Sequence, residues 1–358
     1  MRHTTVLLVT LGFVFGYLYR KRKEKKKIAD NILELIGNTP MVELKSLSKL
    51  TKCRVLAKLE YLNPGGSGKD RAALGILQAA NLHEGDTVYE ATTGSTGIAL
   101  ALLCNYMKLG CKIYMPNDQA KEKSVLLKSL GAEVTLIPPF SIVDKQMYVN
   151  VAQKEAEENG GFFANQFENE ANFKVHYETT GPEIYAQCDG RIDAIVMGAG
   201  TAGTIGGISK YLKERRNVTC ILVDPPGSCL FNKFKYNVMF DSQYAEGKRR
   251  RTQVDTVIEG VGLARNTHLV DLCDVDECIR VTDQEAVDMA RFLLKNEGLF
   301  LGSSGAMNCV GVVKAAKEIG EGKTIVTVLS DQGYRHLSKF WNDEFLLNNN
   351  LDPNKGSP

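Results

Sequence analysis

The chain has 358 residues, 44% hydrophobic and 24% charged, enough for two domains of ordinary size, which excludes a peptide hormone, a small disulfide scaffold and a fully disordered chain. The net charge of +2 is uneven: residues 1–27 hold eight of the 44 Lys and Arg and one of the 42 Asp and Glu, leaving 36 against 41 beyond them. The body is therefore about −5, and no basic stripe for nucleic acid is implied.

Residues 4–19 form an apolar run of 16 residues. As a helix it reaches about 24 Å against roughly 30 Å of bilayer hydrocarbon, so it barely spans. Directly after it stands Arg20-Lys21-Arg22-Lys23-Glu24-Lys25-Lys26-Lys27, where a cleavable secretory signal would show small residues. Residues 1–27 thus read as an uncleaved membrane anchor with a basic flank, and the positive-inside rule leaves the body cytosolic. A loosely associated, signal-like tail is the alternative.

From Ile28 onward, apolar runs at residues 55–59, 112–115, 133–138, 194–197, 220–223 and 324–329 alternate with segments of helical period at 97–108, 121–130, 204–215, 283–296 and 306–319. That alternation predicts βα units and an α/β fold with a parallel, doubly wound sheet. Gly110 and Gly131 are expected to stop the first two helices. Residues 347–358, rich in Asn, Gly and Pro, read as a disordered tail. The nine cysteines are odd in number and scattered through apolar segments, as thiols in a reducing compartment would be, and no metal site is expected from the five histidines.

Four glycine-rich turns stand at strand-to-helix joints, where open sheets place ligands: residues 63–71 (NPGGSGKDR), 92–97 (TTGSTG), 198–204 (GAGTAGT) and 302–306 (GSSGA). The third is GxGxxG after a strand, with Asp224 21 residues beyond Gly203, which is the dinucleotide fingerprint. That reading leaves the other three turns without a purpose. A nucleotide P-loop around Gly68-Lys69 fails, because it needs glycine where Asn63 and Pro64 stand and Ser or Thr where Asp70 stands. Pyridoxal phosphate needs a lysine amine, a phosphate cradle, a partner for the pyridine nitrogen and a clamp for an amino-acid carboxylate. All four can be assigned.

On these residues the chain resembles the fold type II pyridoxal enzymes. NPGGSGKDRA is similar to their lysine turn, EATTGSTGIALA to their carboxylate loop, GAGTAGTIGG to their phosphate loop, Glu259-Gly260-Val261-Gly262 to an active-site wall and LGSSGA to the turn at the cofactor nitrogen. LIGNTP (35–40), NQFEN (165–169), TTGPE (179–183) and SDQGYRHLS (330–338) resemble the cysteine synthase and cystathionine β-synthase branch, and the likeness covers roughly residues 31–341 in order. It implies two open, twisted parallel-sheet domains flanked by helices. The large one takes residues 28–61 and 170–346, the small mobile one residues 62–169, and the whole forms a homodimer.

Residue by residue, the resemblance implies that Lys69 holds the cofactor aldehyde and moves protons. Gly200, Thr201, Ala202, Gly203 and Thr204 bind the phosphate through N–H groups and two hydroxyls. Ser303 faces the pyridine nitrogen, and Thr92, Thr93, Ser95 and Thr96 grip the substrate carboxylate, with Gln166 and Gly262 lining the pocket. A hydroxyl at the ring nitrogen does not favour a protonated ring, which argues for β-replacement over transamination. Ser303 or Ser304 as an N-cap for a helix from residue 306, and Gln166 as a turn cap, are the plainer readings. Three positions depart from the family. Ala202 stands where glycine is commoner, at little cost if φ is negative there. Ser95 replaces an asparagine that also reaches the cofactor's phenolic oxygen, and Gln332 replaces a serine.

The reaction implied is formation of L-cysteine from O-acetyl-L-serine and sulfide, with pyridoxal 5'-phosphate as cofactor. Residues 139–150 replace a glycine-containing stretch of bacterial members, which leaves substrate choice less fixed than reaction type. The alternatives are a cystathionine β-synthase-like enzyme without a regulatory module or haem segment, a serine dehydratase-like enzyme, and a catalytically weak relative acting through a partner, against which Lys69 speaks. The anchor resembles that of fungal cysteine-synthase-like chains at the mitochondrial outer membrane, with the endoplasmic reticulum as the alternative.

Overall fold

The computed structural model describes residues 28–140, 144–241 and 256–355. The expected anchor and its basic flank lie outside the described residues, among which no helix is long and apolar enough to cross a membrane. Residues 28–35 belong to a unit of their own with a 3-10 turn at Ile32–Leu35.

From Ile36 the chain runs through β1 (Met41–Glu43), α1 (Lys45–Thr51), β2 (Arg54–Leu59), α2 (Lys69–Ala79), β3 (Thr87–Ala91), α3 (Ser95–Met107), β4 (Gly110–Pro116), α4 (Lys121–Ser129), β5 (Glu133–Ile137), α5 (Tyr148–Glu158) and β6 (Phe162–Phe163). It continues with α6 (Ala171–Val175), a π turn (His176–Thr180), α7 (Gly181–Gln187), β7 (Ala194–Gly198), α8 (Gly203–Lys213), β8 (Thr219–Asp224) and α9 (Leu230–Tyr236). The last elements are α10 (His268–Asp271), β9 (Glu277–Arg280), α11 (Asp283–Glu297), α12 (Ser303–Ile319), β10 (Thr324–Leu329) and α13 (Asp343–Asn348).

Two sheets result. The six-stranded one has the order β1-β2-β10-β7-β8-β9, parallel except at β1, and the four-stranded one, β5-β4-β3-β6, is parallel throughout. Parallel strands joined by helices are covered on both faces, so their sequences are apolar on both sides. Along β2, Val55 and Ala57 pack with Val196, Ile221, Met289 and Val312, while Leu56 packs with Ile195, Leu222 and Ile208 on the opposite face. The predicted doubly wound α/β class is what forms.

Each predicted strand appears, and the last keeps its bounds at 324–329. β3 lies outside the predictions because Tyr89 and Glu90 interrupt its apolar run, yet both are buried. Helix boundaries shift where backbone conformation decides. Gly94, at φ +143°, closes its turn so that α3 begins at Ser95 rather than 97, and α3 ends at Met107, capped by Lys108, which is left-handed at φ +57°. Gly110 instead opens β4, whereas Gly131, at φ +87°, does follow α4. The expected disordered tail is a further correction: α13 covers residues 343–348, the Leu351 N–H closes onto Leu346 O at 2.9 Å, and Asp352 exchanges two 2.8 Å hydrogen bonds with the Gln284 side chain. Phe345, Leu346 and Leu351 pack on the core, an anchorage that the polar composition conceals.

Candidate active site

A cavity of about 590 Å³ opens where β2, β3, β7 and β10 run at their C-terminal ends into turns. Of the residues predicted from the sequence, Lys69, Thr92, Thr93, Ser95, Thr96, Gln166, Gly200, Thr201, Ala202, Thr204 and Gly262 line it, while Gly203 and Ser303 are buried and do not.

Lys69 is the first residue of α2, so a helix end presents its amine to the cavity. That amine has no hydrogen-bond partner among the described residues, and burial lowers its pKa against a weaker upward pull from Asp331. The turn before it is held by Asp70, which accepts the Gly65 N–H. The other Asp70 oxygen is buried without a partner, and burial raises this carboxyl to about 7. Next in the chain, the buried Arg71 guanidinium bridges Glu60 and Glu183, fixing α2 to the turn that follows β2 and to α7.

The substrate-side loop follows β3. Thr92 Oγ1 accepts the Gly94 N–H at 3.1 Å, and the Thr96 hydroxyl donates to Gln166 Oε1. Gln166 in turn donates from its backbone and its side chain to the buried Glu90 carboxylate at 3.2 and 3.3 Å, and from Nε2 to Ala91 O at 3.1 Å. It is therefore a bracket beneath this loop rather than a turn cap. Ser95 Oγ lies 3.4 Å from Arg335 Nη1.

Residues 198–204 wrap the opposite side. A side-chain carbon at Gly200 would run into Gly260 O, and one at Gly203 into Asn172 Oδ1, so both glycines are required by close approach. Ala202 overturns an expectation: its φ is +71°, a left-handed conformation in which alanine is strained, not the negative φ that makes the departure cheap. Thr201 Oγ1 accepts from Asn172 Nδ2 at 2.9 Å, and Thr204 Oγ1 lies 3.1 Å from His176 Nε2.

Ser303 is fully buried at the start of α12 and accepts the Glu259 N–H at 3.0 Å. The helix begins at Ser303 itself behind the N-cap Gly302, so neither Ser303 nor Ser304 serves as the expected cap; Ser304 lines the cavity. At the far wall Glu259 pairs with Lys123 and stands 3.3 Å from both Lys339 Nζ and His336 Nδ1, and His336 Nε2 is 3.0 Å from Asp331. Burial pushes Glu259 up, but Lys123, the His336 ring and Lys339 hold it well below the usual carboxylate range. Lys123, Asn172, His176 and Lys339 are site residues that sequence reasoning does not single out, since none of them stands in one of the glycine-turn motifs.

These groups fit pyridoxal phosphate: an unpartnered lysine amine, helix-terminal amides with two hydroxyls for one phosphate, and a second helix terminus with hydroxyls for a carboxylate. The family profile described as pyridoxal-phosphate dependent enzyme matches residues 32–331. The chain belongs to this family. It is 47% identical to cysteine synthase 2 of Schizosaccharomyces pombe, over 96% of this chain and 94% of that protein. It is also 47% identical to a Saccharomyces cerevisiae protein named, provisionally, as a mitochondrial cysteine synthase, over 95% and 91%. Among solved structures, that of O-ureido-L-serine synthase superposes with a TM-score of 0.76 at 30% identity, covering 87% of this chain and 95% of that one.

Proposed function

We propose that this pyridoxal-phosphate dependent enzyme is a cysteine synthase, converting O-acetyl-L-serine and sulfide into L-cysteine and acetate. The observation that carries the reading is the unpartnered Lys69 amine in a cavity faced by two helix-terminal anion sites, together with 47% identity over nearly the whole chain to proteins of that name. The bound cofactor supplies an electron sink that acidifies the α-carbon of an attached amino acid.

The residues divide the remaining work. Lys69 would hold the cofactor aldehyde and would take the α-proton of the bound amino acid; burial keeps more of its amine in the neutral form that can accept a proton. Thr201, Thr204 and the first amides of α8 bind the phosphate. The Glu259 N–H occupies one lone pair of Ser303, whose own proton is then left to donate to an unprotonated pyridine nitrogen, which suits β-replacement. Thr92, Thr93 and Ser95 bind the substrate carboxylate at the start of α3 with their hydroxyls, and Thr96 does so with its N–H, since its hydroxyl proton is given to Gln166. Acetate leaves Cβ with its electron pair, sulfide adds there, and Lys69 returns the proton to Cα.

Residues 62–169 form a small mobile domain that closes over the substrate in a homodimer. Supporting this, the contacts from α4 across the cavity mouth are polar: Lys123 to Glu259, and Glu122 and the Lys121 N–H to Ser338. Residues 1–27 tether the enzyme to the mitochondrial outer membrane with its body in the cytosol; the apolar run and the basic block support the tether, and the yeast relative's name supports the mitochondrion alone. Microscopy of residues 1–30 fused to a fluorescent protein separates this from endoplasmic reticulum. For the chemistry, purified protein with pyridoxal phosphate is expected to form cysteine from O-acetylserine and sulfide; a protein that takes up the cofactor yet leaves O-acetylserine unchanged would overturn the substrate assignment.

A further inference from the structure

The two hydroxyls of the 200–204 loop are each met from behind by a buried side chain of one short helical stretch. On α6, Asn172 Nδ2 donates to Thr201 Oγ1 at 2.9 Å and to Gln166 O at 2.8 Å. One turn later, His176 opens the π turn, with Nε2 3.1 Å from Thr204 Oγ1 and Nδ1 2.8 Å from Thr180 Oγ1. Asn172 and His176 are each 1% exposed, whereas Thr201 and Thr204 line the cavity.

A hydroxyl carries one proton. When a neighbour donates to its oxygen, that proton must point elsewhere, and here the open side is the cavity. An amide nitrogen can only donate, so Asn172 settles the direction at Thr201. Imidazole can act either way. Protonated on Nε2, it donates to Thr204 and accepts from Thr180; protonated on Nδ1, it draws the Thr204 proton onto itself and away from the cavity. Burial and the Arg71 guanidinium hold His176 down at about 3, with Glu60, Lys69 and Glu183 the other charges facing it, so the ring is neutral and has a single proton to place.

We propose that Asn172 and His176 are positioning residues that turn the Thr201 and Thr204 protons toward a phosphate in the cavity, with His176 in its Nε2–H form. The assignment rests on the cofactor reading of this loop. It makes the cradle selective for an acceptor-only phosphoester.

The test titrates the full chain, stripped of cofactor, with pyridoxal 5'-phosphate and separately with pyridoxal, which lacks the phosphate. His176→Leu and Thr204→Val are each expected to weaken pyridoxal phosphate about tenfold, as loss of one hydrogen bond to a charged group does. The double variant loses no more than either single one, and pyridoxal binding stays unchanged. His176→Gln, whose amide still donates, stays within about threefold of the parent. Nitrogen-15 NMR of histidine-labelled parent with cofactor bound, which needs no variant, is expected to show Nε2 protonated. Losses that add in the double variant, equal losses for pyridoxal, or an Nδ1-protonated ring would overturn the proposal. Failure of the parent itself to take up pyridoxal phosphate would remove the cofactor reading instead.

Discussion

Replacing Arg71 by leucine removes the cation from a buried ion network directly beneath the lysine turn. Its guanidinium holds both oxygens of Glu60 at 2.8 and 2.9 Å and both of Glu183 at 2.8 Å. Glu183 is partly exposed and keeps Lys58 at 2.7 Å, so it survives the loss. Glu60 is fully buried and retains only the Thr39 hydroxyl at 2.7 Å and the Asn63 amide. Stranding a buried charge in this way costs about 3–5 kcal/mol, a large share of the stability of an ordinary domain. The pH dependence has a definite sign. In the parent, burial pushes both carboxyls up and Arg71 more than reverses it, leaving Glu60 below its ordinary value and Glu183 at about 2. Their contribution is therefore present above the unfolded value of about 4.5 and is lost as pH falls toward 2. In Arg71→Leu, burial acts on Glu60 without that cation and raises its pKa, so acidification helps the variant. Urea unfolding at pH 7 and pH 5 should show a gap that is widest at pH 7. A gap under about 1 kcal/mol there, or one that widens on acidification, would refute the reasoning.

Ala202→Gly should stabilise the chain by roughly 0.5–1 kcal/mol, because relief of the left-handed alanine outweighs the added freedom of the unfolded chain; the urea midpoint reads it. Asp70, raised by burial to about 7 from 3.8, favours the folded state fully below pH 4 and loses that contribution as pH rises through 7, a ceiling of about 4 kcal/mol. Asp70→Asn should flatten this part of the stability profile, and an unchanged slope between pH 5 and 8 would contradict it. Gly200→Ala drives a side chain into Gly260 O and should weaken pyridoxal phosphate uptake at least about tenfold, measured by absorbance titration.

The four inner strands of the six-stranded sheet, β2, β10, β7 and β8, are legible in the sequence because burial on both faces makes each a largely apolar run, as at residues 324–329, whereas the edge strands β1 and β9 are short and partly exposed and give no such run. The glycine turns are legible because glycine is forced wherever two backbones approach, as Gly200 does Gly260. What a side chain faces is a property of the assembled fold. Tyr89 and Glu90 look like a break and go inside, β6 has only two residues, and the polar tail is pinned by its few apolar side chains. The close approach that forces Gly200 and the turning of Ser303 toward the Glu259 N–H depend on the loop at 259–262, some sixty and forty residues away in the chain. Asn172 and His176 acquire meaning only once α6 packs behind the loop before α8.

The most direct measurement is borohydride reduction of the protein with bound cofactor, followed by peptide mass spectrometry. A pyridoxyl group on the peptide bearing Lys69, absent in Lys69→Ala, is the predicted result. A group found only on another lysine, or on none, would contradict the account.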